Sequence, residues 1–297
     1  MTKSKNFWYH VMATLVGITW GVTFVSSKVL INAGMQPAEI MCLRFILAYL
    51  CLLPFSLIRK EERKLFADSL KDELLLMLLG VTGGSLYFLL ENTALVFTQA
   101  SNVSILIATT PLWTMLASAL FLRDGRVTLR TALFSLVSLI GVVVVVLNGR
   151  MELHLHPLGD LLTIGAALTW VLYSIILKYF DGKYSVTLIT RKVFFYGILT
   201  MLPFFLFKPW GTSWAMLAQP SVLLNLVFLG IVASFLGYIG WNLAQSRLGP
   251  VSMNLYLYLN PIATALVAVP VLGEHFTWIT ALGTVLILGG MYFAMKE

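Results

Sequence analysis

Long apolar runs recur along the whole chain. A helix needs about 20 consecutive apolar residues to cross a hydrocarbon core of about 30 Å, and ten such runs follow one another with short connections. The predicted spans are residues 8–31, 39–58, 74–94, 100–121, 128–148, 158–180, 186–207, 222–244, 250–272 and 278–295. Apolar residues make up 59% of the 297 residues and charged residues only 11%. This composition predicts an integral membrane protein.

The runs are continuously apolar and lack the alternation of barrel strands. They therefore predict helices, because an open sheet in lipid would leave backbone groups unpaired. The first run is too long for a cleaved signal peptide, so we expect it to be retained as the first helix. Basic residues collect in the N-terminal tail and in the connections 59–73 and 123–130, whereas the intervening connections offer only Arg150 and Lys208. Both termini are therefore expected in the cytoplasm.

The two halves of the chain resemble each other at a shift of 150 residues. The matches are Thr19/Thr169, Trp20/Trp170, Lys28/Lys178, Gly80/Gly230, Asn92/Asn242, Ala94/Ala244 and Pro111/Pro261, followed by Ala132/Ala281 and Gly141/Gly290 at a shift of 149. We therefore predict two five-helix repeats, residues 1–148 and 149–297. Because five is an odd number, the second repeat starts on the opposite side of the membrane. Inverted repeats around a midplane site are typical of transporters that work by alternating access.

Five segments carry a resemblance to a known family. They are TWGVTFVSSKVL (19–30), LRFILAYL (43–50) and ENTALVFTQASNVSILIATTPLWTMLASALFL (91–122) in the first half, with LTWVLYSIILKYF (168–180) and GPVSMNLYLYLNPIATALVAVPVLGEHFT (249–277) in the second. Together they resemble the EamA-like branch of the drug/metabolite transporter superfamily. The resemblance implies ten helices, a bacterial-type inner membrane and export of amino acids or other small metabolites. The first half has FLRDGRVT where the family often has a pair like Gly273-Glu274.

Glu91 is an ionisable residue inside the predicted third span. A charged side chain in lipid costs about 2.5–3.5 kcal/mol on insertion scales, so we expect it to face the bundle interior and a partner. Arg44 and Lys28, near the same end of the second and first spans, are the candidate partners. One interpretation is a structural ion pair or snorkelling to the headgroups; another is a cation-binding or proton-coupling group. Its counterpart in the second half is Trp241, so only the first half carries a carboxylate at this position.

Aromatic and polar residues form stripes on the predicted helices that would line one cavity. The candidate substrate-binding residues are Trp20, Thr23, Tyr87, Glu91, Asn92, Asn102, Trp170, Tyr173, Tyr238, Trp241, Asn242, Asn254 and Tyr258. Such a wall suits a small amphipathic metabolite. With Glu91 nearby, it also suits a choline-like organic cation held by cation–π attraction. Core packing and interhelical hydrogen bonds from the asparagines are the alternatives.

Pro111 and Pro261 lie near the centres of the fourth and ninth predicted spans. Each proline removes a backbone hydrogen bond and is expected to kink its helix. The carbonyl groups freed in this way would either contact substrate and permit bending, or accept hydrogen bonds from neighbours such as Thr109 and Thr110.

The sequence offers little for other functions. It has no Walker-type phosphate loop and no helical His-Glu metalloprotease spacing, and His154 and His156 lack partners at metal-ligand spacing. Cys42 and Cys51 are nine residues apart on one predicted helix, which excludes a local disulfide. We therefore expect no metal, no cofactor and no nucleic-acid partner.

The sequence thus predicts a secondary transporter, not an enzyme, that exports an amino acid or similar metabolite. The alternatives are an importer or facilitator of an organic cation and, in another class, a membrane-embedded enzyme or receptor. The expected partners are a small-molecule substrate and membrane lipid. The oligomeric state stays open between monomer and homodimer.

Overall fold

The computed structural model describes residues 3–58, 63–122, 128–147, 156–272 and 278–295. These residues form helices and connections, without a strand among them. Several residues used in the sequence analysis lie outside the described residues: Arg59, Lys60, Arg123, Arg126, Arg150, His154, Gly273, Glu274 and Lys296. The boundary predicted between the repeats, at residue 148, also lies outside them.

The long helical segments follow the predicted spans in order. They are α1 (Lys3–Asn32), α2 (Pro37–Ile58), α3 (Leu70–Phe97), α4 (100–122), α5 (Leu129–Leu147), α6 (Pro157–Tyr179), α7 (Val186–Phe207), α8 (Pro220–Leu248), α9 (250–272) and α10 (Trp278–Met295). Seven of them, α1 to α4 and α6 to α8, contain stretches long and apolar enough to cross a membrane. The apolar parts of α5 and α10 are shorter, Leu129–Val144 and Ala281–Met295.

Helix ends follow local chemistry that hydropathy does not report. Helix α3 begins four residues before its predicted span because the Ser69 hydroxyl caps it, accepting a hydrogen bond from the Asp72 backbone N–H at 3.1 Å. Ser185 caps α7 in the same way through the Leu188 N–H at 3.1 Å. Gly249, with φ of 81°, separates α8 from α9 in a conformation that favours glycine.

The long helices are irregular at corresponding places in the two halves. A π-helical turn occupies Val81–Ser85 in α3, and a longer one occupies Phe228–Leu236 in α8. Helix α4 is interrupted at residues 108–109, just before Pro111, and α9 tightens to a 3₁₀ turn at Leu255–Tyr258, just before Pro261. These two pairs of irregularities overlap, or nearly overlap, at the 150-residue shift, whereas a further π-helical turn at Ser118–Leu122 of α4 has no such counterpart, since residues 268–272 of α9 are α-helical.

Threonine hydroxyls bind carbonyl groups at the interruption in α4. The Thr110 hydroxyl donates to the Ile107 carbonyl at 2.5 Å, and the Thr109 hydroxyl donates to the Leu106 carbonyl at 2.6 Å. Pro111 has no N–H for the Ile107 carbonyl, and Thr110 replaces that missing donor. This carbonyl is therefore not left for a ligand.

Packing joins the two halves throughout the bundle. Helix α1 packs on α8 and α9, α6 packs on α3 and α4, and α2 packs on α7 and α8. Gly17 lets α1 approach α9 closely, because a Cβ atom on Gly17 would lie 2.7 Å from the Tyr256 carbonyl oxygen. Gly21, one turn further, lies against the backbone of Asn260 in the same way.

Helices α5 and α10 form a reciprocal contact. A Cβ atom on Gly141 would lie 2.7 Å from the Gly283 carbonyl oxygen, and one on Gly290 would lie 2.7 Å from the Phe134 carbonyl oxygen. Gly141 and Gly290 are 149 positions apart, and so are Phe134 and Gly283. From Phe134 to Gly141 the chain advances along α5, whereas the contacted residues go back along α10 from Gly290 to Gly283. The two helices therefore run antiparallel. Reciprocal contacts of this kind are the signature of a two-fold relation.

Candidate functional site

A buried cavity lies between the two halves, among helices α1, α2, α3, α4, α6, α8 and α9. Its lining residues are Trp20, Thr23, Phe24, Arg44, Tyr87, Phe88, Glu91, Ile107, Trp170, Tyr238, Leu257 and Asn260. The centres of water molecules have about 20 Å³ available in it, which is room for about one or two waters. In this conformation the cavity is therefore too small for a ligand of more than a few atoms.

An aromatic cluster forms one wall of the cavity. The Trp20 ring centroid lies 5.1 Å from that of Trp170 and 4.6 Å from that of Trp241, on which Trp20 is stacked. The Trp20 indole N–H donates to the Ala233 carbonyl at 2.9 Å, which fixes the ring. Tyr87 extends the wall, with its centroid 5.2 Å from that of Trp170. Packed rings of this kind give a rigid apolar surface.

Arg44 reaches the cavity from α2 with its guanidinium fixed on two sides. Its Nε donates to the Ser234 hydroxyl at 2.9 Å, and its Cζ lies 4.1 Å from the centroid of the Phe88 ring. The side chain is 1% exposed, and Nη1 has no hydrogen-bond partner. A buried charge with an unused donor is a costly arrangement.

Glu91 reaches the same cavity from α3, one turn after Tyr87. It is 2% exposed, and its Oε1 has no hydrogen-bond partner. The Tyr87 hydroxyl donates a hydrogen bond to the carboxylate, and the positive charge of Arg44 attracts it. In the part of the chain that the structure describes, however, Glu91 forms no ion pair within 4.0 Å. Lys28, the other candidate partner, instead donates to the Leu95 carbonyl at 2.5 Å near the end of α3.

Four polar atoms around the cavity share this lack of partners. They are Arg44 Nη1, Trp170 Nε1, Glu91 Oε1 and Asn260 Oδ1. Two are donors and two are acceptors. Buried polar atoms in folded proteins are nearly always hydrogen-bonded, so such a group around one cavity indicates a site for a polar ligand or ordered water.

The structure brings together only some of the residues predicted to bind substrate. Trp20, Thr23, Tyr87, Glu91, Trp170 and Tyr238 line the cavity. The others lie outside its lining: Asn92, Asn102, Tyr173, Trp241, Asn242, Asn254 and Tyr258. For both groups, a role in binding stays a prediction.

Most polar residues outside the lining have partners within the protein. The Tyr173 hydroxyl donates to Asn242 Oδ1 at 2.6 Å, and Asn242 Nδ2 donates to the Thr190 hydroxyl at 3.0 Å. Asn254 donates to the Ser174 hydroxyl at 3.0 Å. The remaining bonds are Trp241 to Gln245, Tyr258 to the Ser135 carbonyl, Asn102 to Thr98 and Asn92 to the Pro37 carbonyl. The bonds of Tyr173, Asn254, Tyr258 and Asn92 link helices, as expected for interhelical hydrogen bonding, whereas those of Trp241 and Asn102 are local.

Sequence reasoning missed five lining residues, namely Phe24, Phe88, Ile107, Leu257 and Asn260. The repeat contained a signal for three of them. Phe88 corresponds to Tyr238, and Ile107 corresponds to Leu257, at the same shift of 150 that relates Trp20 to Trp170. Corresponding residues therefore face one cavity from both halves.

Comparison with known proteins identifies the family. The sequence profile of the EamA-like transporter family matches residues 7–147 and 157–296. The chain belongs to the EamA-like transporter family. The resemblance carried by the five sequence segments is thus confirmed. Together with the apolar helices, membership identifies the chain as an integral, multi-pass membrane protein among transporters.

Relatives of this EamA-like chain match it along nearly its full length. One from Archaeoglobus fulgidus, named an uncharacterized transporter, is 27% identical over 97% of both chains. Another from Streptantibioticus cattleyicolor, named a probable terminal-alkyne amino-acid exporter, is 27% identical over 92% of this chain and 88% of its own. A solved crystal structure superposes with a TM-score of 0.78 over 96% of both chains at 18% identity, which shows a shared fold.

One end of the EamA-like bundle is held by charged and phenolic groups. Glu73, at the start of α3, pairs with Lys192 of α7 and accepts a hydrogen bond from Tyr196. The neighbouring Asp72 pairs with Lys183 at 2.8 Å. Hydrogen bonds to Asp72 and Tyr179 raise the pKa of Lys183 above its usual value, so the ammonium stays charged across the physiological range.

The opposite end of the bundle is held by an apolar cluster beside the hydrogen-bonded carboxylate of Glu39. Its buried cluster joins the end of α1, the start of α2 and the first half of α8, through Leu30, Met35, Ile40, Val222, Leu226 and Leu229. Val222 is the counterpart of Asp72 at the 150-residue shift. The two ends therefore occupy corresponding places but are held by different chemistry.

Potential metal ligands do not cluster in the described part of the chain. No three His, Cys, Asp or Glu side chains there come close enough to hold an ion. His156 instead caps α6, accepting a hydrogen bond from the Gly159 N–H at 3.3 Å.

Proposed function

We propose that this EamA-like protein is a secondary transporter that exports an amino acid or a similar small metabolite. The observation that carries the proposal is the cavity between the halves, where four buried polar atoms lack partners. Groups left unsatisfied by the fold are the groups that a ligand satisfies.

The proposed mechanism is alternating access by two inverted five-helix repeats, residues 1–148 and 149–297. The antiparallel, reciprocal contact of α5 with α10 supports the inversion, because corresponding helices of inverted repeats run in opposite directions. The pairs Trp20/Trp170 and Ile107/Leu257 support a cavity on the axis between the repeats. Ten spans, with both termini in the cytoplasm of a bacterial-type cell, complete the proposed topology.

The contracted cavity fits one state of such a cycle. With room for about one or two waters, it represents a closed conformation, and substrate entry requires the halves to separate at one end of the bundle. The two candidate openings are the end with the Lys192–Glu73 and Lys183–Asp72 ion pairs and the end with the apolar cluster around Leu226. Residues such as Lys183 lie on the side that the positive charges predict to be cytoplasmic.

A relative and the site both support the proposed direction of transport and the proposed substrate class. The Streptantibioticus cattleyicolor relative is named a probable amino-acid exporter. The cavity of this chain offers both a cationic and an anionic side chain, Arg44 and Glu91, beside an aromatic wall. That combination is suited to a small ligand with polar and apolar parts.

A choline-like organic cation is the second candidate substrate. The carboxylate of Glu91 beside Tyr87 and Trp170 is the observation that favours it, because aromatic faces attract quaternary ammonium groups. Arg44 opposes it, since its buried positive charge would repel the ligand.

Counterflow in proteoliposomes tests the proposal. Vesicles loaded with an unlabelled amino acid and diluted into the labelled compound should accumulate label transiently, and empty vesicles should not. A panel of amino acids, nucleosides, sugars and organic cations separates the two candidates. Folded protein that shows no counterflow with any member would contradict a transporter and favour the alternatives, a membrane enzyme or a receptor.

A further inference from the structure

Within the described lining, the charged groups of the cavity form a balanced set. Arg44 and Glu91 are its only charged side chains, and both are nearly fully buried. Neither is neutralised by an ion pair within 4.0 Å among the described residues. A buried charge needs a compensating charge and hydrogen bonds. A ligand carrying one charge satisfies one of these residues and leaves the other exposed to the same low dielectric.

We propose that Arg44 and Glu91 bind the two ends of a zwitterionic α-amino acid, the guanidinium taking the carboxylate and the Glu91 carboxylate taking the ammonium. This inference rests on the proposed function. It adds to it the residues that recognise the head group and the orientation of the ligand.

The four unpartnered atoms match the hydrogen-bonding needs of such a head group. A carboxylate only accepts hydrogen bonds, and the free donors are Arg44 Nη1 and the Trp170 indole N–H. An ammonium only donates, and the free acceptors are Glu91 Oε1 and Asn260 Oδ1. Two donors therefore serve one end of the ligand, and two acceptors serve the other.

Arg44 is held in place for this task before any ligand arrives. Ser234 holds Nε at 2.9 Å, and the Phe88 ring lies beneath the guanidinium at 4.1 Å. The planar fork is thus fixed, while Nη1 is left without a partner. A fixed guanidinium binds carboxylates with defined geometry and a small loss of side-chain freedom.

The repeat gives the ligand a single orientation. Arg44 and Glu91 both belong to the first half, and their counterparts at the 150-residue shift are Phe194 and Trp241. Both charges that bind the head group therefore come from the first half, and Trp170 and Asn260 of the second half add one donor and one acceptor. The apolar remainder of the ligand faces the aromatic wall, with Tyr238 of the second half among its residues. The site thus takes an amino acid with an apolar or aromatic side chain.

Ligand binding to the purified, detergent-solubilised full chain tests the proposal without requiring transport. Leucine, methionine, phenylalanine and tryptophan are each compared with the matching amine, which lacks the carboxylate, and the matching acid, which lacks the ammonium. The wild-type protein should bind at least one amino acid about 100-fold more tightly than either partner compound. Equal binding of an amine or an acid, or binding of no amino acid at all, would overturn the proposal.

Two variants test which residue binds which end. Arg44→Met should bind the amino acid about 100-fold more weakly than wild type does. It should prefer the amine, because Glu91 then has no cationic neighbour. Glu91→Gln should show the opposite preference, for the acid. A merely structural role would lower affinity for all three compounds alike, and that result would contradict the assignment. Lys178→Met, at an exposed ion pair with Asp181, is the control and should bind like wild type. If a variant does not fold, the comparison of amino acid, amine and acid on the wild-type protein still tests the proposal.

Counterflow measured on the same preparation separates this proposal from the proposed function. Amino-acid binding without counterflow would remove the transporter and leave the head-group site intact. Counterflow of a compound that lacks one of the two charges would remove the head-group assignment and leave the transporter intact.

Discussion

Three carboxylates with little exposed surface differ in how completely the protein satisfies them. Glu39, which is fully buried, accepts hydrogen bonds from the Thr212 hydroxyl at 2.6 Å, from the Gln36 N–H at 3.0 Å and from two backbone groups of residues 211–212. Glu73 is paired with Lys192. Only Glu91 of these three keeps a buried oxygen without a partner. The first two carboxylates join segments of the protein, and the third is the one assigned to the proposed head-group site.

This difference predicts unequal stability effects of one substitution. Glu39→Gln should lower the melting temperature, because the amide nitrogen cannot accept the bonds that the second oxygen accepts, at a cost of about 1–3 kcal/mol. Glu91→Gln should lower it less, because the unpartnered oxygen has no hydrogen bond to lose. Thermal unfolding of both variants in detergent without ligand provides the comparison. A large loss of stability in Glu91→Gln would show that Glu91 is a structural group.

At the scale of helices, the contact between α3 and α7 depends on a buried ion pair. The side chains of Lys192 and Glu73 are 6% and 13% exposed, and Lys192 also donates to the Leu65 carbonyl. The ion pair of Lys64 with Asp68 offers a contrast, because those side chains are 51% and 61% exposed. Burial strengthens the dependence of each charge on its partner.

Removing one lysine from each pair tests that dependence. Lys192→Met should cost about 3–5 kcal/mol, since it leaves the Glu73 charge without its counter-ion. Lys64→Met should cost about 1 kcal/mol or less, since water solvates Asp68. Melting temperatures of the two variants give the comparison, and the double variant Lys192→Met/Glu73→Gln should recover part of the loss. Equal effects of the two single variants would mean that this end of the bundle does not depend on the buried pair.

At the scale of the whole molecule, the proposed mechanism requires the halves to move past each other for the cavity to open. Ser85 of α3 and Thr200 of α7 lie across that division, with their hydroxyl oxygens 2.7 Å apart. Their side chains therefore already meet across the interface, and a disulfide requires Cβ atoms about 3.5–4.5 Å apart. The pair therefore offers a covalent lock between the halves.

Closing this lock should stop counterflow. In a background where Cys42 and Cys51 are replaced by alanine, Ser85→Cys/Thr200→Cys should lose transport on oxidation and regain it on reduction. The single variant Ser85→Cys should be unaffected by either treatment. Cross-linked protein with full counterflow would show that the cycle needs no movement at this position.

Composition and hydropathy alone predicted the class of protein and the approximate course of the chain. Ten apolar runs predicted the helices to within a few residues, because the length of a run and its composition are local properties that lipid selects directly. Repeats of Trp20 and Pro111 at a fixed shift indicated the duplication. The family followed from the same segments and is confirmed by the family match.

Which polar side chains line the cavity became clear only from the packed helices. Asn242 had the same appearance in the sequence as Asn260, yet Asn242 bonds to Thr190 outside the lining, whereas Asn260 lines the cavity and its Oδ1 has no partner among the described residues. Hydrogen-bond satisfaction depends on neighbours that are far apart along the chain, such as Trp20 and Ala233. No local pattern reports those neighbours, because they are set by the way the helices pack.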